Sequence, residues 1–436
     1  MNIVEDSIAT HAEGRPGIAP AGIQRELHWD DIDRLSNLYG ETFFVFDEPT
    51  FRGNYAHLYA AFSARYPDIR VAYSYKTNYT PNICRIVDEL GGYAEVVSEM
   101  EYDLAKAIGV KGNHIIYNGP YKTTHSVRSA LQSGAIVNLD SMCDYLNVML
   151  VASESPDREF VVGIRCNFLL AGSERTRFGV DVDALAFQQI VEGIRHSRNV
   201  SLGGLQCHFA ARDLNSFRAR ASAMVGLAKR VFPEPPLYID MGGGFYGEMP
   251  VSLKSTFSPL PPDFDQYAEV VCEAMTGAYS GSDRMPALYI EPGTALVANT
   301  VKFYTKIIDI KTIAGRRIAT VTGSIFDISP YARAVNLPVR AICRQEPTFA
   351  NETQERFDIA GYTCIESDYL TMGLRVQLEV GDFLEYSNVG SYTVVMKPPF
   401  IAPHAPILQS SGKNAEFCMI RSRGTGAAIL GSFLDF

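Results

Sequence analysis

From about residue 43 to residue 295, apolar positions gather in short β-branched and aromatic runs, and each run is followed by a stretch with helical spacing. The runs are VAYSYK (71–76), YAEVV (93–97), IIYNGP (115–120), AIVNLD (135–140), FVVGIRCN (160–167), LGGLQCHF (202–209), LYIDMGGG (237–244) and ALYIEPG (287–293). Between them, segments such as SEMEYDLAKAIGV and SFRARASAMVGLAKRVF place apolar residues three and four apart, as a helix face requires. Runs that stay apolar through their middle suit strands buried on both faces, as in a parallel sheet. Eight strand–helix units in about 250 residues are what a TIM-type (β/α)8 barrel takes, with an open doubly wound sheet as the rival.

The pattern changes near residue 300. VKFYTKIIDI, RIATVTG, RFDIAGYT, QLEVGDFLEYS and SYTVVM read as antiparallel strands separated by Gly, Pro and Asn turns. The expected class is therefore α/β plus all-β: a barrel over residues 42–299, then a C-terminal antiparallel β-sandwich or barrel domain over 300–436. TFFVFD, from residue 42, is expected to open the barrel region, and residues 1–41 to form a leader plus a segment packing on the β domain. The Pro-rich stretch KPPFIAPHAP, from residue 397, reads as extended or turning chain.

Composition narrows the function. A chain of 436 residues with 47% hydrophobic and 20% charged positions can bury two cores. A formal charge of −10 leaves no basic surplus for general nucleic-acid binding, although one local Arg or Lys can still hold a small anion. Eight cysteines without CxxC pairing imply neither a disulfide framework nor a structural zinc site, and no metal ligand set is expected. The opening residues, MNIVEDSIATHAEGRPGIAPAG, lack a cationic stretch followed by an apolar one, and no window approaches 18 uninterrupted apolar residues. A cytoplasmic protein without membrane contact is the expectation.

In such a barrel the chemistry sits at the C-terminal ends of the strands. The polar residues there are Lys76, Ser98, Asn118, Arg165 with Asn167, His208, the Gly242–Gly243–Gly244 run and Glu291. Singly, each has a structural reading: a solvated lysine, a satisfied core histidine, a tight glycine turn. Eight strand ends pointing into one mouth would nonetheless bring together a primary amine, an imidazole, a triple-Gly backbone and a carboxylate. That set suits pyridoxal phosphate. An amine condenses with the aldehyde, a carboxylate keeps the pyridine nitrogen protonated, a ring stacks on the cofactor, and glycines let backbone N–H groups reach the phosphate.

YSYKTN (73–78), QCHFA (206–210), DMGGGF (240–245), EPGTALVANT (291–300), GYTCIESD (361–368) and VGSYTVVM (389–396) resemble, in order, the motifs of the alanine-racemase-fold, fold-type III decarboxylases. This group includes diaminopimelate and ornithine decarboxylases. The resemblance implies that Lys76 binds the cofactor aldehyde and that His208 stacks on the ring. It also implies that Glu291 meets the pyridine nitrogen, that Gly243 and Gly244 hold the phosphate, and that Tyr392 reaches it from the second domain. Arg165 falls at a cofactor-proximal arginine. Cys364 and Asp368 match residues that, in the family, cross a homodimer interface to complete the partner's site, with the cysteine managing the proton that replaces the carboxylate.

Three departures stand out. No serine follows the stacking histidine, because the segment reads His208–Phe209–Ala210–Ala211–Arg212. Thr294 replaces the arginine of the family's EPGR motif, which leaves Arg212 as a candidate substitute donor. The acidic residue that directly follows the cysteine in basic-amino-acid decarboxylases is Ile365 here, with Glu366 one step later. An isoleucine cannot pair with an ammonium group, and leaving that charge unpaired in a closed site is costly. The expected activity is pyridoxal-phosphate-dependent decarboxylation of an amino acid or an amino-acid conjugate, carrier-bound substrates in siderophore or antibiotic assembly included. A racemase on the same fold and a catalytically dead, partner-binding homologue are the alternatives.

Overall fold

The computed structural model describes residues 26–170, 175–329, 336–344, 355–411 and 416–433. The leader expected before residue 26 lies outside the described residues. The chain divides into two compact units: one spans Tyr55–Tyr246 and Pro262–Ala295, and the other takes in residues 26–54, Gly247–Pro261 and Leu296–Phe436.

The first unit is a closed parallel barrel. Its strands are Ile69–Ser74, Tyr93–Val96, Ile115–Tyr117, Ile136–Leu139, Phe160–Asn167, Val200–Gln206, Tyr238–Asp240 and Ala287–Ile290. Each pairs in parallel with its neighbours, and Ala287–Ile290 returns to Ile69–Ser74, which closes the ring and excludes the open sheet. The strands are nearly fully buried, as their unbroken apolar runs require. The interior is filled by Ala72, Ile116, Tyr238, Ala287 and Tyr289. Gly163 and Gly204 make room for Tyr238, since a Cβ on Gly163 would stand 2.1 Å from the Tyr238 hydroxyl.

Capping side chains start the outer helices. Ser98, Thr123, Ser141, Asp213 and Asp263 each accept the backbone N–H of the third residue of the helix they open. Ser98, a candidate strand-end site residue, is thus the cap of helix Glu99–Ala107.

The second unit is a mixed sheet. Val301–Ile313 changes partners along its length: its first half pairs antiparallel with Thr42–Asp47 and Phe383–Tyr386, its second half with Arg316–Val321. Two pairings are parallel, Thr42–Asp47 with Ile407–Ser410 and Arg316–Val321 with Glu355–Ala360. The expected all-antiparallel arrangement is corrected in those two places, where long connections replace hairpins.

TFFVFD also changes assignment. It lies between Val301–Ile313 and Ile407–Ser410 in this sheet, so the barrel unit begins near Tyr55 and not at 42. Its length and burial match those of a barrel strand, so sequence alone does not separate the two homes. Helix Trp29–Tyr39 packs Ile32 and Leu35 against Phe43, Val45, Tyr304, Phe383 and Leu408 of the same sheet. SYTVVM is not a strand: Thr393–Met396 forms a single helical turn entered through Tyr392 in left-handed backbone, φ +62°.

Candidate active site

Lys76 lies in the short 3-10 turn Tyr75–Thr77 that follows the first barrel strand. Its Nζ is 2.5 Å from Glu95 Oε2 at the end of the next strand, and Glu95 is almost wholly buried. Ser74 Oγ donates to the same oxygen, and Asn118 Nδ2 donates to Glu95 Oε1 at 3.1 Å. Burial alone would push the Glu95 carboxyl up. The Lys76 ammonium, aided by the Ser74 and Asn118 donors, outweighs it and holds Glu95 below its ordinary value.

Asn118 links this pair to a second carboxylate, donating to Glu291 Oε1 at 2.5 Å. Asn118 is itself steered by Asn138 at 2.8 Å, which in turn accepts from the Tyr238 hydroxyl at 2.8 Å. Gln206 Nε2 reaches both Glu291 oxygens at 3.3 Å. Asp240 lies beside Glu291 with Oδ1 accepting from Gly242 N at 2.9 Å. Burial, then the Asp240 and Glu95 carboxylates, push Glu291 well above its usual range. Asp240 rises to about 7, chiefly through burial.

His208 follows the sixth strand. Its Nδ1 accepts from Gly243 N at 3.0 Å and stands 4.0 Å from Glu291 Oε2. Desolvation at the barrel mouth, then the charges of Lys76, Arg165, Arg220 and Arg212, hold this partly exposed ring well below its ordinary pKa. The ring is therefore neutral, with its remaining proton on Nε2. Arg165 pairs with Asp140 at 3.1 Å and lies 4.8 Å over the Phe178 ring. Arg212 lies 5.3 Å over Tyr246.

The glycine run fits an anionic group. Gly242 has φ +65° and Gly244 φ +95°, conformations that favour glycine. A Cβ on Gly242 would stand 2.2 Å from Cys207 O, and one on Gly243 2.3 Å from Glu291 O. An amine, a carboxyl able to keep a proton, a neutral imidazole and a bare glycine backbone thus share one barrel mouth. The set matches the chemical needs of pyridoxal phosphate.

The family model "pyridoxal-dependent decarboxylase, pyridoxal binding domain" matches residues 53–298. The chain belongs to the pyridoxal-dependent decarboxylases. It is 26% identical to diaminopimelate decarboxylase of Methanothermobacter thermautotrophicus, across 92% of this chain and 93% of that one. It is 23% identical to the L-glutamyl-[BtrI acyl-carrier protein] decarboxylase of Niallia circulans, across 93% of this chain and 96% of that one. The crystal structure of a diaminopimelate decarboxylase from M. jannaschii superposes with TM-score 0.81 at 23% identity, over 92% of this chain and 94% of that one. This protein is accordingly a pyridoxal-phosphate-dependent amino-acid decarboxylase on a TIM barrel with a second β unit.

The remaining candidates of the decarboxylase lie in the second unit. Cys364 and Glu366 are exposed, and Ile365 is 36% exposed. Asp368 is held within its own unit. Buried to 3%, it accepts from Ile325 N at 2.7 Å, Thr363 Oγ1 at 2.6 Å, Thr363 N at 3.2 Å and Ser324 Oγ at 3.2 Å. Both its oxygens are occupied, so it shapes the 361–368 loop that presents Cys364 and Ile365. Only a Gly at 361 leaves room for it, since a Cβ there would lie 2.1 Å from Asp368 Oδ2.

Several residues of the site escaped the sequence reading: Glu95, Asn138, Gln206, Asp240 and Arg220. Glu95 and Asp240 carry a visible signal, a carboxylate inside an otherwise apolar strand run, where a charge persists only with a partner. Among the described residues, no helix is long and apolar enough to cross a membrane.

Proposed function

We propose that this decarboxylase removes the α-carboxylate of an amino acid whose far end carries no free ammonium group: a neutral, anionic or carrier-conjugated substrate. The observation that carries this reading is Ile365, which stands where basic-amino-acid decarboxylases resemble one another in carrying an acid. The Niallia circulans relative, named for a glutamyl group on an acyl-carrier protein, supports it by matching nearly end to end.

Lys76 Nζ would hold the cofactor aldehyde, and in the cofactor-free protein Glu95 positions it as an ion-paired ammonium. His208, fixed by the Gly243 N–H, would stack on the cofactor ring, and Glu291 would share a proton with the pyridine nitrogen. By the family resemblance Arg165 and Tyr392 would complete the cofactor contacts, and Gly244 and Arg212 would meet the phosphate. When bound, pyridoxal phosphate supplies the sink for the electron pair left as CO2 departs. Cys364 Sγ, contributed by a second copy in a homodimer, delivers the replacing proton. A reducing, cytoplasmic setting agrees with eight unpaired thiols.

Screening purified protein for CO2 loss across basic, acidic and conjugated amino acids tests the substrate class. Lys76→Ala should abolish both turnover and the ~420 nm absorbance of the lysine-bound cofactor. Undiminished turnover in that variant refutes the assignment of Lys76, and a colourless wild type points to a sequestering protein. The second reading, suggested by the diaminopimelate decarboxylase relatives, has Glu366 receive a distal amine. Efficient turnover of a free diamino acid that Glu366→Gln removes would establish it.

A further inference from the structure

Arg220, on the helix Leu214–Val231, is fully buried. Its guanidinium lies 3.8 Å from the centre of the Phe217 ring and 5.7 Å from that of Phe209. Its hydrogen-bond partners are two carbonyls and a hydroxyl: Gly243 O at 3.2 Å, Ala211 O at 2.5 Å and Ser216 Oγ at 3.2 Å. No carboxylate is among them, and Nε has no acceptor. Asp213 acts on it only through space, with no hydrogen bond between them, so burial leaves the cation under-compensated. Burial accordingly pulls this guanidinium below its ordinary pKa.

The two carbonyls are informative. The Gly243 carbonyl shares a peptide group with the Gly244 N–H, and the Ala211 carbonyl shares one with the Arg212 N–H. In a trans peptide the N–H points opposite to the C=O. Arg220 therefore stands behind two peptide groups whose N–H donors face away from it, and it polarises both. Neither N–H has a partner among the described residues, whereas the Gly243 N–H is taken by His208. The two loops meet: a Cβ on Gly244 would lie 3.8 Å from Ala211 O and 4.0 Å from Arg212 Cγ. The Tyr267 hydroxyl, donating to Arg212 O at 2.6 Å, fixes the second loop.

We propose that Arg220 is the counter-charge of the cofactor's phosphate, acting through the Gly243–Gly244 and Ala211–Arg212 peptides without touching the phosphate. It thereby stands in for the serine missing from the His208–Phe209–Ala210–Ala211 segment and for the arginine that Thr294 replaces. The inference rests on the cofactor assignment and concerns only how the phosphate end is held; Arg220 is a positioning residue.

The test compares pyridoxal phosphate with pyridoxal, which has the aldehyde and ring but no phosphate. Full-length protein stripped of cofactor is titrated with each, following absorbance near ~420 nm. Removing a charge that acts through two peptides should make Arg220→Met bind pyridoxal phosphate ~10–100-fold more weakly, about 1.4–2.8 kcal/mol at ~1.4 kcal/mol per tenfold. Pyridoxal affinity should stay within about threefold, on the order of the ~0.5 kcal/mol scatter of distant substitutions. Arg220→Lys, which keeps the charge, should recover part of the loss. Inorganic phosphate should compete with pyridoxal phosphate on the wild type. Equal losses for both ligands would make Arg220 merely structural and overturn the proposal, as would no loss for either. If Arg220→Met does not fold, absence of phosphate competition on the wild type, or an Arg220→Lys that weakens both ligands alike, overturns it. A wild type that never develops the absorbance defeats the cofactor assignment instead.

Discussion

Replacing Asp240 by asparagine should stabilise the cofactor-free protein, and by an amount that grows with pH. Asp240 is fully buried, Oδ1 accepts from Gly242 N at 2.9 Å, and Oδ2 faces no donor. With Glu291 beside it, the pair is comfortable only while it holds a proton. An asparagine keeps the acceptor for Gly242 and turns a new N–H2 donor toward Glu291. Burial raises Asp240 from 3.8 to about 7, so the folded chain binds a proton that the unfolded chain has released between those values. Stability is then lost as pH climbs through that window, at about 1.4 kcal/mol per pH unit, and the loss is complete above it. The full gap amounts to roughly 4 kcal/mol, an upper figure because Glu291 shares the proton. Urea unfolding of both proteins from pH 5 to 8, followed by far-UV circular dichroism, gives the difference directly. Comparing variant with wild type at each pH cancels the titrating groups away from the site, while Glu95 and Glu291, which sense the Asp240 charge, contribute to the difference. A difference that is flat with pH, or an asparagine variant less stable at pH 8, would refute the reasoning.

Other outcomes follow from the same geometry. Ile365→Asp should raise kcat/KM on ornithine or lysine and lower it on the native substrate, with wild-type values on those diamino acids at least ~100-fold below the native one, since an unpaired buried ammonium costs several kcal/mol. Steady-state kinetics that show the wild type already preferring a free diamine would contradict this. Mixing inactive Lys76→Ala with inactive Cys364→Ala protein should restore activity through hybrid dimers with one intact site; verified hybrids that stay dead would end the shared-site reading. Gly242→Ala places a Cβ 2.2 Å from Cys207 O at φ +65° and should cost on the order of 2–4 kcal/mol and most cofactor binding, measured by thermal melts and absorbance.

Much of this was legible because strand runs and helical spacing alternate, and because strand ends carry chemistry in such barrels. Lys76, His208, Gly243, Gly244 and Glu291 were found that way, and the structure gathers them at one mouth. Asp368, expected to help complete the partner's site, is tied to Ile325 and Thr363 within its own unit, hydrogen bonds that a motif position does not reveal. Arg220 was invisible for a different reason: in sequence it is one more basic residue on an amphipathic helix, and only the fold shows it facing inward. TFFVFD was placed in the wrong sheet because a buried strand looks the same in either.

That strand has a consequence for biosynthesis. Thr42–Asp47 emerges from the ribosome early, but its parallel neighbour Ile407–Ser410 comes near the end of the chain. At ~5–20 residues per second, the gap amounts to roughly 20–70 s of translation. Through most of that time the Phe-rich segment has neither flanking strand, while the intervening barrel sequence can already close on itself. An unsatisfied apolar edge held open for so long is an aggregation hazard. Yield on overexpression should therefore respond to chaperone supply, and to slower elongation through residues 55–295, more than to the stability of the finished protein.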